Sequence, residues 1–195
     1  MSLSQQELLE KLGTNLKNGL TSDEASKRRE DDGAFNVVRP PVDCPAWLCI
    51  ILPCIKHVPS MKAFAALKPD DAEIKRNGKW VRYDASSLVK GDVIRLEEGD
   101  SVPGDCVTIQ ISGSEDLLVD LRSITGEERL KTIATGGGNM TSLYYGGKVV
   151  QGSAIAVITA VGPNTLLAQL IREKRFPPQE PILEAQGETR LNSIV

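Results

Sequence analysis

The chain has 195 residues, with 23 Lys and Arg against 26 Asp and Glu, for a formal net charge of −3. That balance excludes a general nucleic-acid binder, which needs a basic surplus to displace counterions. The single histidine, His57, excludes a multi-histidine metal centre, and with only three Phe, three Tyr and two Trp the core has to be aliphatic.

In chain order, the first thirty-six residues read as a helical segment. Ser4-Gln5-Gln6-Glu7 has the form of a capping box, followed by Leu8, Leu9 and Leu12 at helical spacing and by Gly13 as a stop. The pattern recurs at Thr21-Ser22-Asp23-Glu24. Acids occupy that first turn, Lys27, Arg28 and Arg29 lie further along as the helix dipole favours, and Gly33 ends it.

Residues 37–68 form a Pro- and Cys-rich linker. Pro40, Pro41, Pro45, Pro53 and Pro59 break any long regular element. Cys44, Cys49 and Cys54 recur at five-residue intervals with His57 three further on. That spacing scatters side chains around a helix, and small buried hydrophobes explain the cysteines better than a metal site does. The longest apolar run, Ala46 to Leu52, is far short of the about 20 residues that a membrane-spanning helix needs. Together with a polar N-terminus, this predicts a cytoplasmic chain with reduced thiols, and Trp47–Leu52 as a stretch for membrane-surface contact.

From Asp71 the texture becomes β. Asn77-Gly78 between Ala72–Arg76 and Lys79–Asp84 is a strong two-residue hairpin signal. Strands are predicted at Val93–Leu96, Cys106–Ile111, Leu117–Leu121 and Ser153–Val161, with Val107, Ile109 and Ile111 on one buried face. Short strands punctuated by glycine point to an antiparallel sandwich or small barrel. A closing helix from Asn164 carries Leu166, Leu167, Leu170 and Ile171, and a polar tail follows. The segments are 1–36 helical, 37–68 linker, 69–163 β core, 164–176 closing helix and 177–195 tail.

The segment with chemical content is Asp120-Leu121-Arg122-Ser123-Ile124-Thr125-Gly126-Glu127. A glycine after a strand lets the chain turn sharply and lets the backbone approach another surface closely. Glu127 would project from an exposed tip, where a carboxylate can orient a water or take its proton. On spacing alone the tripeptide Thr125-Gly126-Glu127 is a weak signal that reads more readily as an ordinary solvated turn.

Its company makes the segment specific. Gly19-Leu20-Thr21-Ser22-Asp23-Glu24-Ala25, the Arg76-Asn77-Gly78-Lys79-Trp80 hairpin, Leu88-Val89-Lys90-Gly91-Asp92-Val93-Ile94, Gly99-Asp100-Ser101-Val102-Pro103-Gly104-Asp105-Cys106, Asp120 with Ile124-Thr125-Gly126-Glu127, Gly147–Gly152 and Gly162-Pro163-Asn164-Thr165 occur in one order. In that order they resemble the actuator domain of P-type ATPases, the cation pumps that cycle through an aspartyl-phosphate. The likeness is closest to the plasma-membrane proton-pump branch. It implies a mainly β fold with flanking helices, a distorted jelly roll. It also implies that Glu127 orients the water that hydrolyses the aspartyl-phosphate, with Thr125 and Gly126 bringing backbone near the phosphoryl group.

The resemblance implies further that the partner is a P-type ATPase phosphorylation domain or full pump. This chain would bind no cofactor itself, Mg²⁺ and ATP entering only through that catalytic partner. The 195 residues contain no Asp-Lys-Thr-Gly phosphorylation segment, so the chain cannot hydrolyse ATP alone by the family mechanism. Pro45 to Phe64 is similar to a collapsed remnant of the pumps' membrane hairpin. Glu128-Arg129-Leu130 stand where the pumps carry a serine and, two residues on, a proline. Two readings compete: a pump component that supplies the dephosphorylating loop, and a non-catalytic regulatory or docking module that binds a membrane ATPase.

Overall fold

The computed structural model describes residues 5–32, 35–42, 59–135 and 140–178. Among the described residues three helices precede the strands: α1 (Gln5–Lys11), α2 (Ser22–Asp32) and α3 (Pro59–Leu67). The proposed cap at Ser4, the stop at Gly33, the Cys44/Cys49/Cys54–His57 group and Trp47–Leu52 all lie outside the described residues.

The second capping box is present atom for atom. Glu24 N–H donates to Thr21 Oγ1 at 3.1 Å, and Glu24 Oε2 accepts from Thr21 N–H at 2.8 Å and from its hydroxyl at 2.9 Å. Those bonds, Thr21 N–H foremost, hold the Glu24 carboxyl below its usual range. Helix α3 begins at Pro59 inside the proline-rich linker, where a missing N–H costs nothing at a first helical position. Its Leu67 is buried, and Ala63 and Phe64 pack on the main core.

Nine strands follow: β1 (Asp71–Arg76), β2 (Lys79–Asp84), β3 (Val93–Leu96), β4 (Asp105–Ser112), β5 (Leu117–Asp120), β6 (Lys131–Ile133), β7 (Ser142–Leu143), β8 (Lys148–Gln151) and β9 (Ser153–Ala160). They form two antiparallel sheets, one of six strands in the order β2-β1-β3-β9-β4-β7 and one of three in the order β6-β5-β8. Asn77 and Gly78 both take positive φ, 51° and 75°, as a tight hairpin with right-handed twist requires. A helical turn, α4 (Arg122–Thr125), follows β5, and α5 (Leu166–Arg172) closes the described chain with Thr165 as its cap.

The main core joins the two sheets. Ile74, Ile94, Leu96, Cys106 and Ile158 of the larger sheet meet Leu117, Val119, Ile133 and Val149 of the smaller, with Leu166, Leu167 and Leu170 of α5. A second cluster covers the opposite face of the larger sheet, where Val93, Val107 and Val157 pack against Leu8 and Leu12 of α1. The single buried face expected for β4 is not what forms. A bulge skips Ile109 between the pairs Thr108↔Ala156 and Gln110↔Ile155. It turns Ile111 toward the main core while Val107 and Ile109 stay with α1, and Cys106 and Thr108 are buried as well. Among the described residues no helix is long and apolar enough to cross a membrane.

Candidate functional site

The loop between β5 and β6 is built from its base upward. At that base Asp120 lies opposite Lys148 of β8, and Val119 lies opposite Lys131 of β6. The Asp120 carboxylate accepts from the Arg122 backbone N–H at 3.0 Å and from its Nε at 3.0 Å, and it also binds Nη2. Hydrogen bonding from the Arg122 side chain, ahead of burial, holds the Asp120 carboxyl below its usual range.

One carbonyl organises the turn. Leu121 O accepts from Ile124 N–H at 2.9 Å, Thr125 N–H at 2.8 Å and the Thr125 hydroxyl at 3.1 Å. The same hydroxyl accepts from Glu127 N–H at 3.4 Å. Ile124 and Thr125 are both fully buried, so they anchor the turn from beneath. Gly126 then takes φ 76° and ψ −1°, the left-handed conformation that ends the helical turn, and its N–H donates to Arg122 O at 2.9 Å.

This geometry refines the expectation from sequence in two respects. The Thr125 side chain is sealed inside the turn and reaches nothing outside it; Gly126 and Glu127 form the accessible surface. Glu127 is half-buried rather than held out on an exposed tip. Glu128 and Arg129 beyond it are exposed.

Lys131, at the return end of the loop, was not singled out by the sequence. Its amine lies below the usual lysine range because burial outweighs the opposing attraction of Glu127. The available signal was Ile133 two residues on, since residues so spaced share a strand face. Arg122, whose side chain is 60% exposed, is likewise a loop residue that the motif does not specify.

The carboxylates near the turn do not form a divalent-cation cage. Asp120 is committed to Arg122, and Glu127 sits in the field of Lys131. Among the described residues no three His, Cys, Asp or Glu side chains converge for a metal. An open polar depression of about 380 Å³ lies elsewhere, between α1, α2 and the approach to β3. Arg28 crosses it, donating to Leu12 O, Gly13 O and Lys90 O.

The family model for the P-type ATPase actuator domain matches residues 66–174, which hold all nine strands and the Glu127 loop. This chain belongs to the P-type ATPase actuator-domain family. A second family model, the cation transporter/ATPase N-terminus, matches residues 2–54 of the same chain. The probable plasma membrane ATPase of Dictyostelium discoideum is 37% identical over 101 residues, covering 50% of this chain and 9% of that protein. The endoplasmic reticulum calcium ATPase srcA of Aspergillus fumigatus is 34% identical over 122 residues, covering 54% of this chain and 12% of that protein. The crystal structure of a zinc-transporting PIB-type ATPase in the E2.Pi state aligns at 23% identity with a TM-score of 0.47, over 68% of this chain and 21% of that one. The chain thus spans about a tenth of the length of these curated relatives. Its two antiparallel sheets and flanking helices are the mainly β body of the actuator domain.

Proposed function

We propose that this actuator domain supplies the dephosphorylating loop of a P-type cation ATPase cycle, with Glu127 orienting the attacking water. The reading is carried by one observation. Glu127 is the first side chain after a left-handed glycine, on a turn locked from beneath by buried Ile124 and Thr125, and is itself half-buried. In the step proposed, a water oxygen bonds to phosphorus as the bond from phosphorus to the aspartyl oxygen breaks. The aspartate leaves as a carboxylate, inorganic phosphate forms, and Glu127 takes the water proton. The turn contributes placement: Gly126 permits close backbone approach, and its braced neighbours keep the carboxylate in line.

The phosphorylated aspartate belongs to the partner in this reading, as do Mg²⁺ and ATP. The partner is a P-type phosphorylation domain or whole pump on the cytoplasmic side of a membrane. Trp47–Leu52 would be the stretch that meets that membrane.

A plasma-membrane-type pump whose own loop glutamate is replaced by Gln, loaded with labelled phosphate, tests this directly. The full chain should accelerate phosphoenzyme decay, and Glu127→Gln should remove at least about a hundredfold of that acceleration. Decay that is the same with or without the chain would overturn the proposal. Acceleration that Glu127→Gln leaves intact would also overturn it and favour a docking role.

A further inference from the structure

Strand β2 ends the six-stranded sheet, and among the described residues nothing pairs with its outer side. It runs six residues without a proline or a bulge, whereas β7 at the opposite edge has two residues. In a two-residue hairpin the residues flanking the turn exchange hydrogen bonds, and bonded pairs then alternate along the ladder. Arg76↔Lys79, Ile74↔Val81 and Ala72↔Tyr83 are therefore the bonded pairs of β1 with β2. The backbone N–H and C=O groups of Trp80 and Arg82 point away from β1, and no strand or turn among the described residues receives them.

The side chains make the same edge unusual. Val81 lies opposite Ile74 and shares its face of the sheet. Ile74 is fully buried in the main core, yet Val81 is 40% exposed. The apolar face thus continues past what covers it and ends on an open valine, with Lys79 and Tyr83 on either side along the same face.

A second copy of β2 completes this edge. Antiparallel pairing has to bring the outward-pointing groups together, so Trp80 and Arg82 of one copy face Trp80 and Arg82 of the other. Centred on Arg82, the pairing sets two guanidiniums against each other, which is repulsive. Centred on Trp80, it engages only Lys79–Val81 of each strand. Centred on Val81, it engages Lys79–Tyr83 of both copies. Val81 then meets its own copy, Arg82 meets the Trp80 indole, and Lys79 meets Tyr83, with no like charges directly opposed. Arg82 arrives already paired with Asp71 at 3.2 Å, so its charge is offset.

We propose that β2 is a self-association edge: two copies of this chain pair antiparallel through Lys79–Tyr83 about a two-fold axis at Val81, joining their six-stranded sheets into one. The Glu127 loop belongs to the other sheet, and the proposal does not rest on the reading of that loop. One strand pair is a small interface, so the dimer is weak and forms at high concentration.

Sedimentation velocity of the full chain, from about 10 µM to about 1 mM, should show a monomer–dimer equilibrium. A chain that stays monomeric throughout would overturn the proposal. Val81→Lys sets two ammoniums against each other at the axis and should weaken association about tenfold or more. Association as strong as that of the native chain would overturn it too. Disulfide cross-linking reads the register, in chains whose Cys44, Cys49 and Cys54 are replaced by Ser and whose buried Cys106 is kept. Val81→Cys should oxidise to a covalent dimer about tenfold or more faster than Arg82→Cys, whose counterpart lies two places along the facing strand. It should outpace Val150→Cys by a similar factor, although Val150 of β8 is 43% exposed. Equal rates at the three positions would mean random collision and would overturn the register and the proposal with it. The cross-linking comparison decides the question even where Val81→Lys fails to fold.

Discussion

Arg122 bends back over two residues to bind Asp120 through both its Nε and Nη2 groups, and the backbone N–H of Arg122 joins them. This closes the base of the loop before the chain enters the helical turn. The folded Asp120 carboxyl consequently titrates below its usual value, with the Arg122 hydrogen bonds as the first cause. The sign follows from linkage. A depressed folded pKa adds stability above the unfolded value of about 3.9, and that contribution is lost as pH falls through the folded value. The loop base should therefore loosen only on the acid side of about pH 4, with no change between pH 6 and 8 from this group. Arg122→Gln should raise the Asp120 midpoint toward the ordinary range, measured by carboxyl carbon resonance. An unchanged midpoint would show that the guanidinium does not govern it. Because Arg122 is largely exposed, solvent screens the pair, and its value lies in fixing the loop base more than in global stability.

At the scale of elements, the start of α2 is set by local chemistry. Its burial is slight beyond Ala25, so the reciprocal bonds of Thr21 and Glu24 define where it starts. Thr21→Ala should cost about 1 kcal/mol and lower Tm by about 2–4 °C, read by thermal denaturation. A variant that melts with the native chain would place the start of α2 in tertiary contacts instead. The same locality explains what the sequence discloses. The capping box and the Asn77-Gly78 hairpin are each decided within four residues, so both are legible in the order of amino acids alone. Strands β6, β7 and β8 have three, two and four residues, too short for any period to show, and they exist through pairing with distant partners. The bulge at Ile109 is equally a matter of register against β9, so the faces of β4 could not be assigned from alternation. In the loop, the ordered motifs mark Glu127, but the burial of Thr125 is a matter of how the turn packs on the β body, and the face that Lys131 takes is set by its pairing with Val119. A buried ion pair, Arg76 with Asp92 at 2.7 Å, is a further long-range feature of this kind.

At the scale of the whole molecule, one amide joins the N-terminal segment to several parts of the β body at once. Asn36 is buried while its neighbours Phe35 and Val37 are exposed. Its Nδ2 donates to Ala85 O at 2.9 Å and to Pro103 O at 2.6 Å, and its Oδ1 accepts from Gly162 N–H at 2.8 Å. Its backbone N–H donates to Ser86 O at 3.0 Å. Four stretches far apart in sequence thus converge on a single side chain: the exit from α2, the turn after β2, the approach to β4 and the turn before α5. The Gly162 contact reaches across 126 residues. Removing the amide takes the Asn36 bond from the Pro103 carbonyl and the Gly162 N–H and leaves Ala85 O with the Leu88 N–H at 3.3 Å, so desolvation is no longer fully repaid. Asn36→Ala should therefore destabilise by about 2–4 kcal/mol in urea denaturation. Asn36→Asp, nearly the same shape, should cost at least as much, since it turns an oxygen toward two carbonyl oxygens. In Asn36→Ala the Gly162 amide should exchange faster with solvent, whereas the β3–β9 amides should respond only to the global loss of stability. A loss below about 1 kcal/mol for Asn36→Ala would mean that water replaces the amide.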